Sequence, residues 1–203
     1  MRRFFDAIRS EKRMVAACAL LFIMFSLVGF VASEPIGTWM KQTGVWEQFQ
    51  RKAESINQDP GLLNTYGVIF FNNLLAAAGM IGLGIFFGIY PALGVIFNGL
   101  LLGVVVGSVS DQADLHPVTL VVTHILPHGI LELPAVIFAA AFGMRLGALA
   151  AGSLTGLASP ELRERYGSAW KDYLSKIPVL FTGVVVMLAV AALIESSLIV
   201  FYT

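Results

Sequence analysis

Three ionisable residues, His124, His128 and Glu132, stand inside a long apolar run and could do chemistry there. An ionisable side chain within a bilayer costs roughly 2.5 to 3.5 kcal/mol on insertion scales, so it usually faces protein and marks a functional site. On a helix, the spacing i, i+4, i+8 keeps the three side chains close to one stripe. The pattern therefore predicts that they can meet one ligand.

One interpretation is a metal site, because two imidazoles and a carboxylate form a catalytic zinc set with an open position for water. His124, His128 and Glu132 would be the ligands of a metal-dependent intramembrane hydrolase. The spacing differs from His-Glu-x-x-His, in which the glutamate is the base between two ligands. We therefore predict no metal and no cofactor, keep this set as an alternative, and assign no catalytic residue.

A second interpretation is a polar network that holds the helices in register. Further polar residues lie in the other apolar runs, and interhelical hydrogen bonds of this kind contribute about 0.6 to 2 kcal/mol each. The predicted polar centre comprises His128, Glu132, His124, Asn72, Asn73, Asn98 and Glu195.

A third interpretation is transport. A buried Glu132 beside His128 could exchange protons near neutral pH, and a broken helix at mid-membrane is a common place for such a site. Five spans are few for a transporter, so this alternative needs a second copy of the chain.

Composition places the chain in a membrane. Of its 203 residues 57% are apolar and 13% are charged, against about 25% charged in soluble proteins. Its long apolar runs can each cross a hydrocarbon core about 30 Å thick. The net charge is zero and the basic residues are not gathered on one soluble domain, which argues against nucleic acid as a partner.

We predict an all-α polytopic membrane protein with five transmembrane helices and two amphipathic interfacial helices, in a single domain over residues 1–203. The first apolar run follows a basic leader but is longer than the core of a signal peptide, so we expect an uncleaved span. The interfacial helices carry aromatic and basic residues typical of the membrane surface. The spans are placed at about 14–32, 67–88, 91–109, 118–150 and 178–202, and the interfacial helices at about 44–57 and 160–176.

The fourth span contains Pro127 and Pro134, which lack a backbone N–H. It is also longer than one perpendicular crossing. Either the helix is tilted, or residues 118–126 form a separate piece and a new helix begins at Pro127.

Glycines four residues apart, Gly99, Gly103 and Gly107, predict a flat groove that allows close approach of another helix. The partner could lie in the same chain or in a second copy. A homodimer packed through this groove or through the fourth span is predicted.

Positive charge orients the spans. With a cytoplasmic N-terminus and an extracytoplasmic C-terminus, ten of the 13 Lys and Arg residues lie inside. Those ten are Arg2, Arg3, Arg9, Lys12, Arg13, Arg145, Arg163, Arg165, Lys171 and Lys176.

Four short motifs occur in the apolar runs: Asn72-Asn73, Asn98-Gly99 with Gly103, Pro127-His-Gly-Ile-Leu-Glu-Leu-Pro-Ala135, and Ala191-Ala-Leu-Ile-Glu195. Together they resemble the stage II sporulation protein M family of multi-span membrane proteins, over roughly residues 66–203. In spore formers the family member belongs to an engulfment complex with cell-wall hydrolases, and the resemblance implies no settled reaction or substrate.

We therefore expect a non-enzymatic component or scaffold of a membrane complex in the cell membrane, with a link to cell-envelope remodelling. Its expected partners are the lipid bilayer, a second copy of the chain, and other membrane or cell-envelope proteins.

Overall fold

The computed structural model describes residues 2–58, 61–157 and 159–202. Within these ranges, the side chains of Phe49, Lys52, Ala53, Asn57, Gln58, His128 and Tyr202 are not described. Helices make up nearly all of the described chain. They are α1 (Arg2–Ser10), α2 (Lys12–Val31), α3 (Ser33–Gln42), α4 (Val45–Gln58), α5 (Leu62–Gly82), α6 (Ile89–Ala113), α7 (Pro117–Leu120), α8 (Leu126–Thr155) and α9 (Pro160–Tyr202).

Five helical segments are long and apolar enough to cross a membrane, which confirms the predicted all-α polytopic fold. These segments are Lys12–Val31, Leu62–Ile85, Ile89–Ala113, Gly129–Thr155 and Pro160–Phe201. The short turn Leu83–Ile85 continues α5 as a 3₁₀ helix.

The last span differs from its predicted bounds. The helix predicted at 160–176 and the span predicted at 178–202 form one continuous helix, α9, with Pro178 inside it. A proline costs one helical hydrogen bond, but α9 is held on both sides of Pro178. Tyr173 before the proline and Leu180 after it are both buried in the core.

The backbone before Pro127 matches neither of the two alternatives predicted for the fourth span, a single tilted helix or two separate pieces. Residues Val121–Ile125 form a π-helical turn between α7 and α8, so the backbone is neither a regular helix nor two separate pieces. The N–H of Leu126 donates to the carbonyl of Val121, five residues back. Because Pro127 cannot donate, a local change of hydrogen-bond register just before it lets the helical path continue.

Helix α8 is the centre of the bundle. In its most apolar 18-residue stretch, 56% of the residues are buried, whereas the corresponding share in the other spans is at most 33%. Ala135, Ala139 and Ala140 are fully buried, and α8 contacts α2, α5, α6 and α9. Small side chains allow such close approach of neighbouring helices.

Helix α2 lies along the glycine groove of α6 in the same chain. A Cβ at Gly99 would stand 2.7 Å from the carbonyl oxygen of Phe22, and a Cβ at Gly103 would stand 2.6 Å from the backbone nitrogen of Phe30. Contacts advance together along both helices, so α2 and α6 run parallel. The groove is therefore filled within the chain and is not available to a second copy.

Candidate functional site

A cavity of about 380 Å³ opens between the spans, and most of the predicted polar residues line it. Its polar wall combines residues of α5, α6, α8 and α9, which are far apart in sequence. The described residues of the predicted polar centre that line it are Asn72, Asn73, Asn98, Glu132 and Glu195. Except for Asn72, which is exposed, these side chains are half-buried.

A chain of hydrogen bonds connects α5 with α8 at this wall. The amide of Asn72 donates to Oδ1 of Asn73 at 3.2 Å, and the amide of Asn73 donates to Oε1 of Glu132 at 2.9 Å. A hydrogen bond to a carboxylate is stronger than one between neutral groups when the carboxylate is ionised. The pair Asn73–Glu132 therefore fixes the register of two spans 59 residues apart in sequence.

Asn98 and Glu195 complete the polar wall from the other two helices. One N–H of the Asn98 amide donates to the carbonyl of Gly94, one turn back on α6, at 2.8 Å. This bond restrains the Asn98 side chain at the cavity. Glu195 reaches the same cavity from the far end of α9.

The structure does not bring His124 to the cavity that Glu132 lines. His124 is exposed, does not line the cavity, and shares a hydrogen bond of 2.7 Å with Oγ1 of Thr123. The backbone of His128 belongs to α8, but its side chain lies outside the described residues. No group of three or more His, Cys, Asp or Glu suited to a metal occurs among the described residues. The side chain of His128 is not among the described residues, so the metal set stays a prediction.

The apolar lining of the cavity was not identified by the sequence reasoning, and two of its residues show why. Phe22 comes from α2 and Ile56 from α4. Ile56 belongs to the apolar face of α4, whose helical spacing is visible in the sequence. Phe22 gives no such signal, because the first span is apolar on all sides.

A separate ionic cluster lies at the start of α2, and hence at the end of the bundle remote from α3. Nε of Arg145 lies 3.4 Å from a carboxylate oxygen of Glu11, whose side chain is only 12% exposed. Desolvation by burial raises the pKa of Glu11, and the positive charge of Arg145 partly offsets that rise. Lys176 of α9 joins this cluster, because its ammonium group donates to Oγ of Ser10 at 3.2 Å.

The amphipathic first part of α9 is anchored to α8 by two aromatic residues. The hydroxyl of Tyr173 donates to the carbonyl of Phe142 at 2.9 Å, and Nε1 of Trp170 donates to Oγ of Ser153 at 2.8 Å. Tyr173 is buried. This segment was predicted to rest on the membrane surface. In the structure, part of its apolar face packs against α8 instead.

Fold and site together define a polytopic α-helical membrane protein with carboxylates and carboxamides clustered between its spans. The chain belongs to the stage II sporulation protein M family, whose model matches residues 18–198. That match begins within α2, so the family includes the first span as well as the motifs from residue 66 onward.

One curated relative is an uncharacterized protein from Methanocaldococcus jannaschii. It is 34% identical over 90 residues, which cover 44% of this chain and 49% of the relative. The chain thus matches about half the length of that relative. No solved structure matches the chain.

Proposed function

We propose that the chain is a non-enzymatic scaffold component of a membrane complex with a link to cell-envelope remodelling. The observation that carries this proposal is the hydrogen bond between Asn73 and Glu132, which joins two spans inside the bundle. Together with Asn98 and Glu195 at the same cavity, it supports a bundle of fixed helix register. A fixed bundle can present constant surfaces to partner proteins.

The test compares partner retention by matched variants in the native host. The wild type, Glu132→Ala and Glu47→Ala are tagged, expressed at equal levels, crosslinked in intact cells and purified in mild detergent. Glu47 is an exposed residue of α4 outside the cavity, so its variant is the control. We expect a defined set of membrane or envelope proteins with the wild type and the control, and its loss with Glu132→Ala. A wild type that purifies without partners, or an unchanged set in Glu132→Ala, contradicts the proposal.

A second candidate function is proton-coupled transport, favoured by the presence of Glu132 and Glu195 at one cavity. The test is proton flux in lipid vesicles containing the purified protein. Flux that is present in the wild type and absent in Glu132→Gln supports transport. Equal flux in protein-free vesicles removes it.

The orientation is also part of the proposal. Glu11, Arg145 and Lys176 meet at one end of the bundle, and this end carries the basic leader, which supports its placement in the cytoplasm. The C-terminus is then extracytoplasmic.

We also propose a homodimer, and the fourth span stays as its predicted interface, because Leu126, Ile130 and Leu154 of α8 are exposed. The glycine groove is filled by α2. Light scattering of the purified protein tests the dimer, which a mass of one chain would contradict.

A further inference from the structure

The cavity has an amphipathic lining. Carboxamides and the carboxylates of Glu132 and Glu195 line it together with aliphatic residues. Val68 lies one turn from Asn72 on α5, and Leu101 and Val105 lie one and two turns from Asn98 on α6. Binding pockets for small molecules combine apolar walls with a few placed polar groups in this way. A ligand that fits must therefore have a polar end and an apolar chain.

The size of the cavity excludes a proton or a single bare ion as the occupant that fills it. Its volume of about 380 Å³ falls in the range of small-molecule pockets. At roughly 30 Å³ for each water molecule, it corresponds to about a dozen waters. This space suits a small headgroup together with the first part of an aliphatic chain.

The acidic residues of the cavity indicate which kind of polar group a ligand would carry. The lining contains two acidic residues, Glu132 and Glu195, and no Lys or Arg among the described residues that line it. An ionised carboxylate only accepts hydrogen bonds, as Glu132 does from the amide of Asn73, so N–H donors are the ligand groups that match it. A cationic donor is favoured here, whereas an anionic headgroup meets like charge.

The mouth of the cavity gives access from the bilayer. Asn72 lines the cavity and is itself exposed. Its neighbours on the surface of α5, Phe71 and Leu75, are 67% and 77% exposed. Exposed apolar side chains therefore flank Asn72 on α5, which suits entry of a ligand from the hydrocarbon region.

We propose that this cavity binds an amphiphile with a primary ammonium group, the ammonium lying beside Glu132 and Glu195 and the aliphatic chain along α6. The group can come from a membrane lipid with an amine headgroup or from a free long-chain amine. This proposal goes beyond the scaffold function and does not depend on it, because partner retention and ligand binding are measured separately.

The experiment is native mass spectrometry of the purified full chain in a nonionic detergent. Phosphatidylethanolamine is titrated against phosphatidylcholine and phosphatidylglycerol with identical acyl chains. The first has a primary ammonium, the second has a quaternary ammonium without N–H donors, and the third is anionic. We expect phosphatidylethanolamine to bind about tenfold more tightly than the other two, a factor that corresponds to 1.4 kcal/mol.

Matched substitutions inside and outside the cavity test whether the lipid binds there. Val105→Phe adds volume inside the cavity and leaves its polar wall unchanged, whereas Val186→Phe makes the same change at an exposed position of α9 outside the cavity. We expect Val105→Phe to lose the preference and Val186→Phe to keep it. Glu195→Gln, which keeps the shape and removes the charge, should also lose it. This variant tests the same site independently if Val105→Phe does not fold.

Dodecylammonium, with dodecanol as its neutral control, separates the two sources. Displacement of phosphatidylethanolamine by dodecylammonium and not by dodecanol supports a lipid ligand at the site. Binding of dodecylammonium alone, lost in Val105→Phe, supports a free amine. Equal binding of all three lipids without selective binding of dodecylammonium overturns the proposal, as does a preference that persists in Val105→Phe.

Discussion

The glycine groove gives the sharpest prediction for stability, which concerns Gly103→Ala. A Cβ at Gly103 would overlap the carbonyl oxygen of Ser26 and stand 2.6 Å from the backbone nitrogen of Phe30. Both atoms are backbone and cannot rotate away, so α2 and α6 must separate. Overpacking typically costs 1 to 3 kcal/mol, and backbone contacts place this variant at about 2 to 3 kcal/mol.

Gly67→Ala is the matched control. Gly67 lies in α5, and no atom lies within 4 Å of the position that its Cβ would take. The same substitution there removes freedom from the unfolded chain and should stabilise the protein by about 0.4 to 1 kcal/mol. The two variants share one chemical change and differ only in what the new methyl group meets, so their stabilities should differ by about 3 kcal/mol.

The assay is equilibrium unfolding in mixed micelles, followed by tryptophan fluorescence and circular dichroism. Equal stabilities for Gly103→Ala and Gly67→Ala would refute the reasoning that α2 is packed permanently into the groove. A loss in Gly103→Ala that depends on protein concentration would assign the groove to a second copy instead.

Three further predictions concern single side chains. Glu132→Ala removes the acceptor of the Asn73 hydrogen bond and should lower the free energy of unfolding by about 0.6 to 2 kcal/mol; a thermal midpoint equal to that of the wild type would count against the polar network. Tyr173→Phe removes the hydrogen bond to the Phe142 carbonyl and should cost about 1 kcal/mol in the same unfolding assay; no change would mean that this hydrogen bond does not anchor α9. The raised pKa of Glu11 means that, between its ordinary value of 4.5 and the raised value, the folded state binds more protons than the unfolded state. The free energy of unfolding should therefore fall as the pH rises from 4.5 through the raised pKa. Glu11→Gln should remove this fall, and thermal unfolding measured from about pH 4 to 7, the range in which carboxyl groups titrate, checks it. An identical pH profile would show that Glu11 is not the group responsible.

A C-terminal fusion tests the orientation. A reporter that is active only outside the cytoplasm should be active at the C-terminus of the full chain. A silent reporter in a well-expressed fusion, beside an active fusion of a known extracytoplasmic control, would reverse the topology.

The sequence determined the class of the protein, because hydrophobicity is a property of each segment by itself. Apolar runs of the length needed to cross a bilayer predict spans without any knowledge of their neighbours. The family followed from local motifs such as the one around Glu132. Polar residues within apolar runs are costly in the membrane, and this cost is visible residue by residue. It singled out Asn73, Asn98 and Glu132, which line the cavity, but also His124, which does not, and it gave no sign of the apolar lining.

Only the tertiary structure decided which of these residues meet. The hydrogen bond from Asn73 to Glu132 joins positions 59 residues apart, and no periodicity within one segment specifies such a pair. The groove of Gly103 predicted close packing, but the identity of its partner, α2, depends on how the whole bundle assembles. The π turn before Pro127 likewise depends on context, because a missing N–H removes one hydrogen bond without dictating which backbone path replaces it.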